Sequence, residues 1–183
     1  MVEGLEDILA PQLAVVFCGI NPGMTAAAQG QHFAGRGNRF WRTLHLAGFT
    51  PQELRPDQDR SILDYRCGLT AVVERPTARA EQLYRHEFTA SAAGFERKIA
   101  QQAPRFVAFL GKAAYSALSG QRQVGWGLQS KTFGNAQVWV LPNPSGRNLA
   151  FSLEQLVAAY RELRLAAGLG LTPEEWSPAH QSK

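Results

Sequence analysis

The sequence is poor in the residues that hold metals and form covalent crosslinks. Of its 183 residues only two are cysteine, Cys18 and Cys67, and four are histidine. Two cysteines cannot build the disulfide framework of a small secreted protein, and no C-x-x-C or H-E-x-x-H motif is present to hold a catalytic zinc. We therefore expect two reduced thiols in a cytoplasmic protein, without a metal or a cofactor.

Long hydrophobic runs are also missing. No apolar run approaches the roughly 20 residues that span a bilayer, and the N-terminal sequence MVEGLEDILA lacks the basic and apolar regions of an export signal. We expect no membrane association. Hydrophobic residues still make up 45% of the chain, enough for one core. We predict a single domain over residues 1–168 and a loosely ordered C-terminal tail over residues 169–183, where prolines replace periodicity.

Several motifs of common enzyme classes are absent. The chain has no G-x-G-x-x-G, no G-x-x-x-x-G-K-[ST] and no G-x-S-x-G sequence, so nucleotide-driven chemistry and a serine hydrolase are disfavoured. Gly111 and Lys112 form a Gly-Lys pair without the preceding glycine of a phosphate loop. Lys112 is either a solvated first-turn lysine or a phosphate contact at a helix N-terminus, and the sequence leaves both open.

The net charge is weakly informative. A formal charge of +4 favours a polyanionic partner, although many proteins that bind no polyanion share it. The basic residues are dispersed and form no disordered basic arm. If the protein binds DNA, it does so with a folded face.

The pattern of apolar residues predicts an α/β fold. Residues 13–20, 105–111 and 138–144 read as buried strands, and they alternate with helical patterns without hairpin turns. Asn38 predicts the cap of a helix that ends at Gly48, and Ser152 with Gln155 predicts a capping box. This alternation is typical of a three-layer α/β/α sandwich with a central, mainly parallel sheet. Further helices are predicted at residues 112–118 and along a stripe of Phe95, Ile99 and Ala103, and residues 50–59 are predicted to be a connector.

Turn-rich segments follow all three predicted strands. These segments are GINPG (19–23), which we expect to continue into a glycine-punctuated loop, the Gly-Lys pair at 111–112, and NPSGRN (143–148). Ligands gather at the carboxyl ends of parallel strands, so the three segments should meet at one edge of the sheet. Asn-Pro-Gly is also a good turn without any function. His32 taken alone reads as a surface side chain, and Phe33 as a core residue.

The motifs together resemble a known family. In order, VVFCGINPG, GNRFW, DYRCGLTAVVERPT, FLGKAAY and VWVLPNPSGR are similar to the mismatch-specific uracil-DNA glycosylases of bacteria and, more distantly, to the thymine-DNA glycosylases. The resemblance extends from about Ile8 to Arg164. It implies an α/β/α fold and a monomeric, cofactor-free enzyme that hydrolyses the N-glycosidic bond of uracil, ethenocytosine or thymine opposite guanine. The implied partners are double-stranded DNA and the enzymes that process abasic sites downstream.

The resemblance assigns roles around the first turn. Asn21 matches the catalytic asparagine, which holds a water near the sugar C1′ atom, while Pro22 and Gly23 shape the turn. The backbones of Ile20 and Phe33 would face the edge of the base, and the ring of Phe33 would stack on the flipped base.

Two residues near this turn resemble the thymine-DNA glycosylases more than the bacterial enzymes. Ala26 stands where bacterial enzymes that reject thymine carry a serine, and His32 precedes Phe33 as in the thymine-specific loop. Both predict better processing of G:T pairs. Ala71 predicts weaker processing of G:T pairs, because thymine-DNA glycosylases carry an asparagine that helps to hold the base at this position.

The second implied element is the DNA insertion loop. Gly146 and Asn148 would present polar groups to the guanine left unpaired, and Arg147 would fill the gap in the duplex. The bacterial relatives carry a leucine at this position, so an arginine is again similar to the thymine-DNA glycosylases. The complete loop comprises Asn143, Pro144, Ser145, Gly146, Arg147 and Asn148.

Three other functions stay open at this point. A mismatch-binding protein without catalysis would keep the loops and lose the chemistry. A related enzyme could release uracil from single strands, and an unrelated α/β nucleoside hydrolase could act on free deoxyuridine.

Overall fold

The computed structural model describes residues 4–170, and these residues form a five-stranded sheet between two layers of helices. The strand order is β2-β1-β3-β5-β4, and every neighbouring pair is parallel except β4 with β5. The three predicted strands are confirmed as β1, β3 and β5. The strands are β1 (Val15–Gly19), β2 (Cys67–Ala71), β3 (Phe106–Leu110), β4 (Gly127–Phe133) and β5 (Ala136–Leu141).

Helices cover both faces of the sheet, as the three-layer prediction requires. Phe17 of β1 points to one face, where α2 and α5 pack, and Cys18 points to the other, where α3 and α4 pack. The helices are α1 (Met24–Gln29), α2 (Phe40–Leu46), α3 (Arg85–Gln102), α4 (Lys112–Ser119) and α5 (Leu153–Ala167), with 3₁₀ segments at Pro56–Tyr65 and Ala80–Gln82. No helix within residues 4–170 is long and apolar enough to cross a bilayer.

The capping box of α5 is confirmed. Ser152 Oγ accepts a hydrogen bond from the Gln155 backbone N–H at 3.2 Å, and Gln155 Oε1 accepts one from the Ser152 N–H at 2.8 Å. Such a cap stabilises a helix by about 1 kcal/mol. It starts α5 in the register that buries Leu156, Tyr160 and Leu163 against the sheet.

The prediction that no hairpin joins the strands is wrong. Gly134 and Asn135 form a two-residue turn between β4 and β5, and both have positive φ angles, 53° and 66°. Turns with two positive φ angles match the twist of a hairpin. The sequence of β4 is mostly polar and exposed at the edge of the sheet, so it carries no apolar run to detect.

Strand β2 was not predicted either. It is five residues long and contains Gly68 and Thr70, which weaken the strand signal. Its position depends on distant partners: it pairs with β1, and Leu69 exchanges two backbone hydrogen bonds with Ile8 at 2.8 and 2.9 Å.

Local boundaries differ from the predictions at several places. The segment after Gly23 enters α1 at once instead of forming a loop. Asn38 does accept a hydrogen bond from the Phe40 N–H at 2.9 Å, but α2 ends at Leu46, before Gly48. The predicted connector enters a 3₁₀ segment at Pro56, and Ala103 ends α3 in a left-handed conformation. The domain boundary at 168 stays a prediction, because residues 171–183 lie outside the described residues.

Candidate active site

The three turn segments meet at the carboxyl edge of the sheet, as predicted. Strands β1, β3 and β5 are neighbours, so the segments that follow them start side by side. The Gly111 N–H donates to the Leu141 carbonyl at 2.7 Å, and a Cβ atom at Gly111 would lie 3.8 Å from Asn143 Cβ and 4.0 Å from Ile20 Cδ1. Gly111 has a φ of +114°, which only glycine adopts readily.

Two hydrogen bonds donated by the amide nitrogen fix the side chain of Asn21. Nδ2 donates to the Arg75 carbonyl and to Thr77 Oγ1, each at 2.8 Å. The Thr77 hydroxyl in turn donates to the Arg79 carbonyl at 2.7 Å, so its oxygen acts as an acceptor toward Asn21. Because a carbonyl can only accept, the amide cannot be reversed. The Asn21 Oδ1 atom therefore faces away from this segment, and no donor within residues 4–170 is bonded to it.

The segment that follows β2 clamps the turn containing Asn21. The Val73 N–H donates to the Ile20 carbonyl and the Thr77 N–H to the Pro22 carbonyl, both at 3.1 Å. Gly23 and Thr77 also form a parallel bridge. The pairing of β1 with β2 thus continues past both strands. Thr77 is buried and was not singled out from the sequence; its place in the quoted segment ending in ERPT was the available signal.

A charged pair ties this segment to α3. Arg75 Nε and Nη2 contact the two carboxylate oxygens of Glu87 at 2.7 and 2.9 Å, and Nη2 also donates to the Gln82 carbonyl at 3.0 Å. The Arg75 guanidinium, followed by the Tyr84 N–H, lowers the pKa of Glu87 to about 2. Glu87 therefore stays ionised at neutral pH. Arg75, whose carbonyl accepts a hydrogen bond from Asn21, is therefore itself held in place by Glu87.

Phe33 is placed for stacking. Its ring lies on Phe40 with the centroids 4.0 Å apart and the planes 24° apart. The backbone of Phe33 has a φ of 56°, an unusual value for a bulky residue. Because Phe40 supports one face and the ring is only partly buried, Phe33 can offer its other face to a planar ligand.

His32 is buried, so the reading of it as a surface residue is wrong. Its Nε2 atom donates to the Glu6 carbonyl at 2.7 Å, and its backbone N–H donates to Asp59 Oδ2 at 3.0 Å. The indole N–H of Trp41 donates to the His32 carbonyl at 3.0 Å. These contacts join the N-terminal segment to the segment before α2. A contact between His32 and the base stays a prediction.

Two alanines flank the turn. Ala26 lies buried in α1, which begins directly after Gly23, and Ala71 ends β2 opposite Gly19. Both are therefore close in the fold to the segment that carries Asn21. Their effect on base choice remains a prediction.

The segment 143–148 is a compact loop closed by its own amides. Asn143 Oδ1 accepts from the Ser145 N–H at 2.9 Å, and Asn148 Nδ2 donates to the Asn143 carbonyl at 2.9 Å. Asn148 Oδ1 also accepts from Ala150, so both ends of this amide are engaged. Each end of the amide has one further hydrogen-bonding site left for a ligand. Arg147 is exposed, and Gly146 packs so closely that a Cβ atom would lie 2.7 Å from the Gly37 carbonyl oxygen.

Arg39 supports this loop through hydrogen bonds to its backbone carbonyls. It was not identified from the sequence. Its Nη1 atom donates to the Phe151 carbonyl at 2.7 Å, and Nη2 donates to the carbonyls of Ser145 and Asn148 at 3.0 and 2.9 Å. Its backbone N–H donates to the Pro144 carbonyl at 3.0 Å. One residue of the segment before α2 thus fixes the shape of the loop after β5. The GNRFW motif was the available signal.

Comparison with known proteins identifies the family. The profile described as the Uracil DNA glycosylase superfamily matches residues 6–164, most of the chain. The chain belongs to the uracil DNA glycosylase superfamily. Membership indicates a DNA repair glycosylase, a hydrolase that acts on uracil in DNA.

A solved structure confirms the fold of this superfamily member. The solution NMR structure of a candidate uracil DNA glycosylase from Methanosarcina acetivorans is similar to it, with a TM-score of 0.60 and 22% sequence identity. The match covers 89% of this chain and 98% of the archaeal one. At this identity the likeness supports the α/β architecture alone.

One further charged group of the glycosylase, Lys112, lies at this edge of the sheet. Lys112 begins α4, and its ammonium lies 4.4 Å from the centre of the Trp126 ring. Within residues 4–170, no group of three His, Cys, Asp or Glu side chains could hold a metal ion. The arrangement offers one fixed amide oxygen, a supported aromatic ring and a braced loop. These groups can position a water and a planar base, and they supply no strong nucleophile.

Proposed function

We propose that the protein is a DNA repair glycosylase that releases uracil mispaired with guanine from double-stranded DNA, leaving an abasic site. Ethenocytosine and thymine opposite guanine are further proposed substrates. Membership of the superfamily supports action on uracil in DNA, and the motifs around GINPG and NPSGRN favour the mismatch-specific subclass.

The proposed reaction begins with base flipping. A base inside a duplex is out of reach, and extruding it costs a few kcal/mol, least for a mispair. Weak G:U and G:T pairs therefore enter the pocket most easily. Phe33 stacks on the extruded pyrimidine, a contact of about 1 to 3 kcal/mol in comparable platforms. Arg147, exposed on the braced loop, fills the space left in the duplex.

The bond to the sugar then breaks with water as the nucleophile. The transition state resembles an oxocarbenium ion, and the pyrimidine leaves as an anion, so water needs placement more than activation. The single observation that carries this proposal is the fixed amide of Asn21, whose oxygen has no donor among residues 4–170. An amide is a weak base, so we expect positioning to dominate and turnover to be slow.

Single-turnover base release tests the proposal. The substrates are duplexes with G:U, G:T, G:ethenocytosine and A:U pairs, together with single-stranded uracil DNA and free deoxyuridine, all at one salt concentration. We expect G-paired substrates to react far faster than A:U and single strands. Equal rates on single strands would indicate a single-strand enzyme, and release from free deoxyuridine alone a nucleoside hydrolase. Tight mismatch binding without any release would indicate a binding protein.

A further inference from the structure

A cavity of about 250 Å³ lies between the N-terminal segment, the end of α1 and the 3₁₀ segment Pro56–Tyr65. Neither Asn21 nor Phe33 lines it, so it differs from the space in which a base would be held. We call it the α1 cavity. A water molecule takes about 30 Å³ in the liquid, so the cavity has room for about eight waters or for one small organic molecule.

Asp59 brings an unpaired carboxylate to the wall of this cavity. The residue is only 8% exposed. Its Oδ2 atom accepts a hydrogen bond from the His32 N–H at 3.0 Å, and its Oδ1 atom accepts none from the part of the chain that the structure describes. None of the four ion pairs among residues 4–170 includes Asp59. Because a buried charge is costly without a partner, this carboxylate favours a ligand of opposite charge.

His32 adds a second acceptor to the same wall. The residue is 6% exposed, and its Nε2 atom donates to the Glu6 carbonyl at 2.7 Å. The proton of the neutral imidazole is therefore on Nε2, which makes Nδ1 an acceptor. No donor within residues 4–170 is bonded to Nδ1. A ligand in the α1 cavity thus meets one anionic and one neutral acceptor.

The other two charged side chains of the lining neutralise each other. Arg60 Nη2 contacts Glu6 Oε2 at 3.1 Å, and both side chains are mostly exposed. They therefore form the rim of the cavity, and the Arg60 guanidinium is engaged by Glu6. The charge that remains inside is that of Asp59.

Apolar side chains complete the wall. Leu5 and Ile8 line the cavity from the N-terminal segment, and Ala27 lines it from α1. An alkyl chain buries its surface against such groups, whereas a bare metal ion gains nothing from them. Within residues 4–170, no group of three His, Cys, Asp or Glu side chains could hold a metal ion. The lining therefore suits a cation that carries N–H donors and a short alkyl chain.

We propose that the α1 cavity binds a primary alkylammonium group. The ammonium donates to Asp59 Oδ1 and to His32 Nδ1, and the alkyl chain lies against Leu5, Ile8 and Ala27. Small aliphatic amines and the lysine side chain of a protein share this chemistry. The site does not depend on the proposed glycosylase activity.

Calorimetric titration with butylammonium chloride tests the site. We expect saturable binding to the unaltered protein and at least about 10-fold weaker binding to Asp59→Asn, because a charged hydrogen bond becomes a neutral one. The asparagine oxygen can still accept from the His32 N–H, so this contact is retained. Absence of saturable binding to the unaltered protein, or equal affinity of the variant, would overturn the proposal.

Asp57→Asn is the matched control. Asp57 belongs to the same 3₁₀ segment, is exposed and pairs with Arg55 outside the cavity. Its substitution changes the net charge equally and should leave the affinity for butylammonium unchanged. A loss equal to that of Asp59→Asn would show a general attraction of cations and contradict the site.

Tetramethylammonium chloride tests the hydrogen bonds. This ion carries the same charge as butylammonium but has no N–H donor, so we expect it to bind at least about 10-fold more weakly. Equal affinities for the two ions would contradict donation to Asp59 and His32.

Thermal unfolding tests the position of the ligand with Asp59 intact. A ligand that binds only the folded state raises the unfolding midpoint. Butylammonium should raise the midpoint of the unaltered protein and leave that of Ala27→Leu unchanged, because the larger side chain fills the cavity from α1 and leaves both acceptors in place. An equal rise in both proteins would place the ligand elsewhere and overturn the proposal.

The two sources of the ammonium group are distinguished with N-acetyl-lysine amide. Tighter binding than that of butylammonium would assign the cavity to a lysine side chain of a partner protein, and weaker binding would assign it to a small amine. Either result supports the ammonium site, provided that Asp59→Asn weakens the binding of both compounds. Binding of the amide that Asp59→Asn leaves unchanged would contradict it.

Discussion

Asn21 lies in a turn after β1, and its side chain is fixed by two acceptors. The Arg75 carbonyl and the Thr77 hydroxyl orient the amide, so its oxygen is presented in one direction only. A turn residue needs no such constraint, because Pro22 and Gly23 already determine the bend. The constraint is what a water-positioning group requires.

Asn21→Ala should therefore abolish most catalysis and spare binding. We expect single-turnover uracil release to fall at least about 100-fold, since the water loses its fixed acceptor. Affinity for a G:U duplex should stay close to that of the unaltered protein. Release within tenfold of the unaltered rate would show that Asn21 is only a turn residue.

Thr77→Val tests the orientation of the amide with Asn21 intact. Valine keeps the volume and removes the acceptor of Asn21, so we expect release to slow by about 10- to 100-fold through misplacement of the water. Thr77→Ser keeps the hydroxyl and is the control, with a rate near that of the unaltered protein. Equal rates for the two variants would show that the Thr77 hydroxyl does not orient the Asn21 amide for catalysis.

Ala26→Ser tests the choice of base. If Ala26 leaves room for the thymine methyl group, a serine should reduce thymine release from G:T more than uracil release from G:U. The ratio of the two single-turnover rates is the measured quantity. An equal loss on both bases would contradict this role.

At the scale of elements, two loops far apart in sequence are built as one unit. The segment 33–39 carries the stacking ring at one end and Arg39 at the other, and Arg39 bonds four backbone groups of the segment 144–151 through its guanidinium and its N–H. The segment proposed to stack on the base and the loop proposed to enter the duplex are thus connected in the free protein.

Arg39→Lys should loosen this connection. An ammonium cannot reach all three carbonyls that the guanidinium contacts, so we expect a loss of stability of about 1 to 3 kcal/mol in urea denaturation. Preference for G:U over A:U should fall, because the loop that we propose meets the opposite base loses its shape, while release from single strands should change less. Arg42→Lys, at an exposed position in α2, three residues further along the chain, is the control. Preserved preference with lowered stability would make Arg39 a purely structural residue.

At the scale of the whole molecule, the two thiols report on the core. Cys18 and Cys67 are buried in adjacent strands, and burial raises the pKa of both thiols. We expect neither to react with iodoacetamide at pH 8 in the folded protein and both to react in denaturant. Mass spectrometry counts the labels. Rapid labelling under native conditions would show that the sheet opens locally.

The sequence by itself determined the three parallel strands at the centre of the sheet and the three turn segments that meet at its carboxyl edge. Apolar runs buried on both faces predict β1, β3 and β5, because such strands need no partner to be recognised. The α5 cap and the turn at Asn21 were likewise readable, since both depend on neighbouring residues. The predicted roles of Asn21, Ala26 and Arg147 remain for experiment.

Only the tertiary structure decided what depends on contacts between distant residues. Strand β2 needs β1 and Ile8 as partners, and the polar edge strand β4 needs β5, so neither has a sufficient local signal. Thr77 accepts from Asn21, 56 residues away, and Arg39 donates to carbonyls more than 100 residues away. Hydrogen bonds of that range leave no periodicity in a sequence, because the fold alone brings their partners within 3 Å.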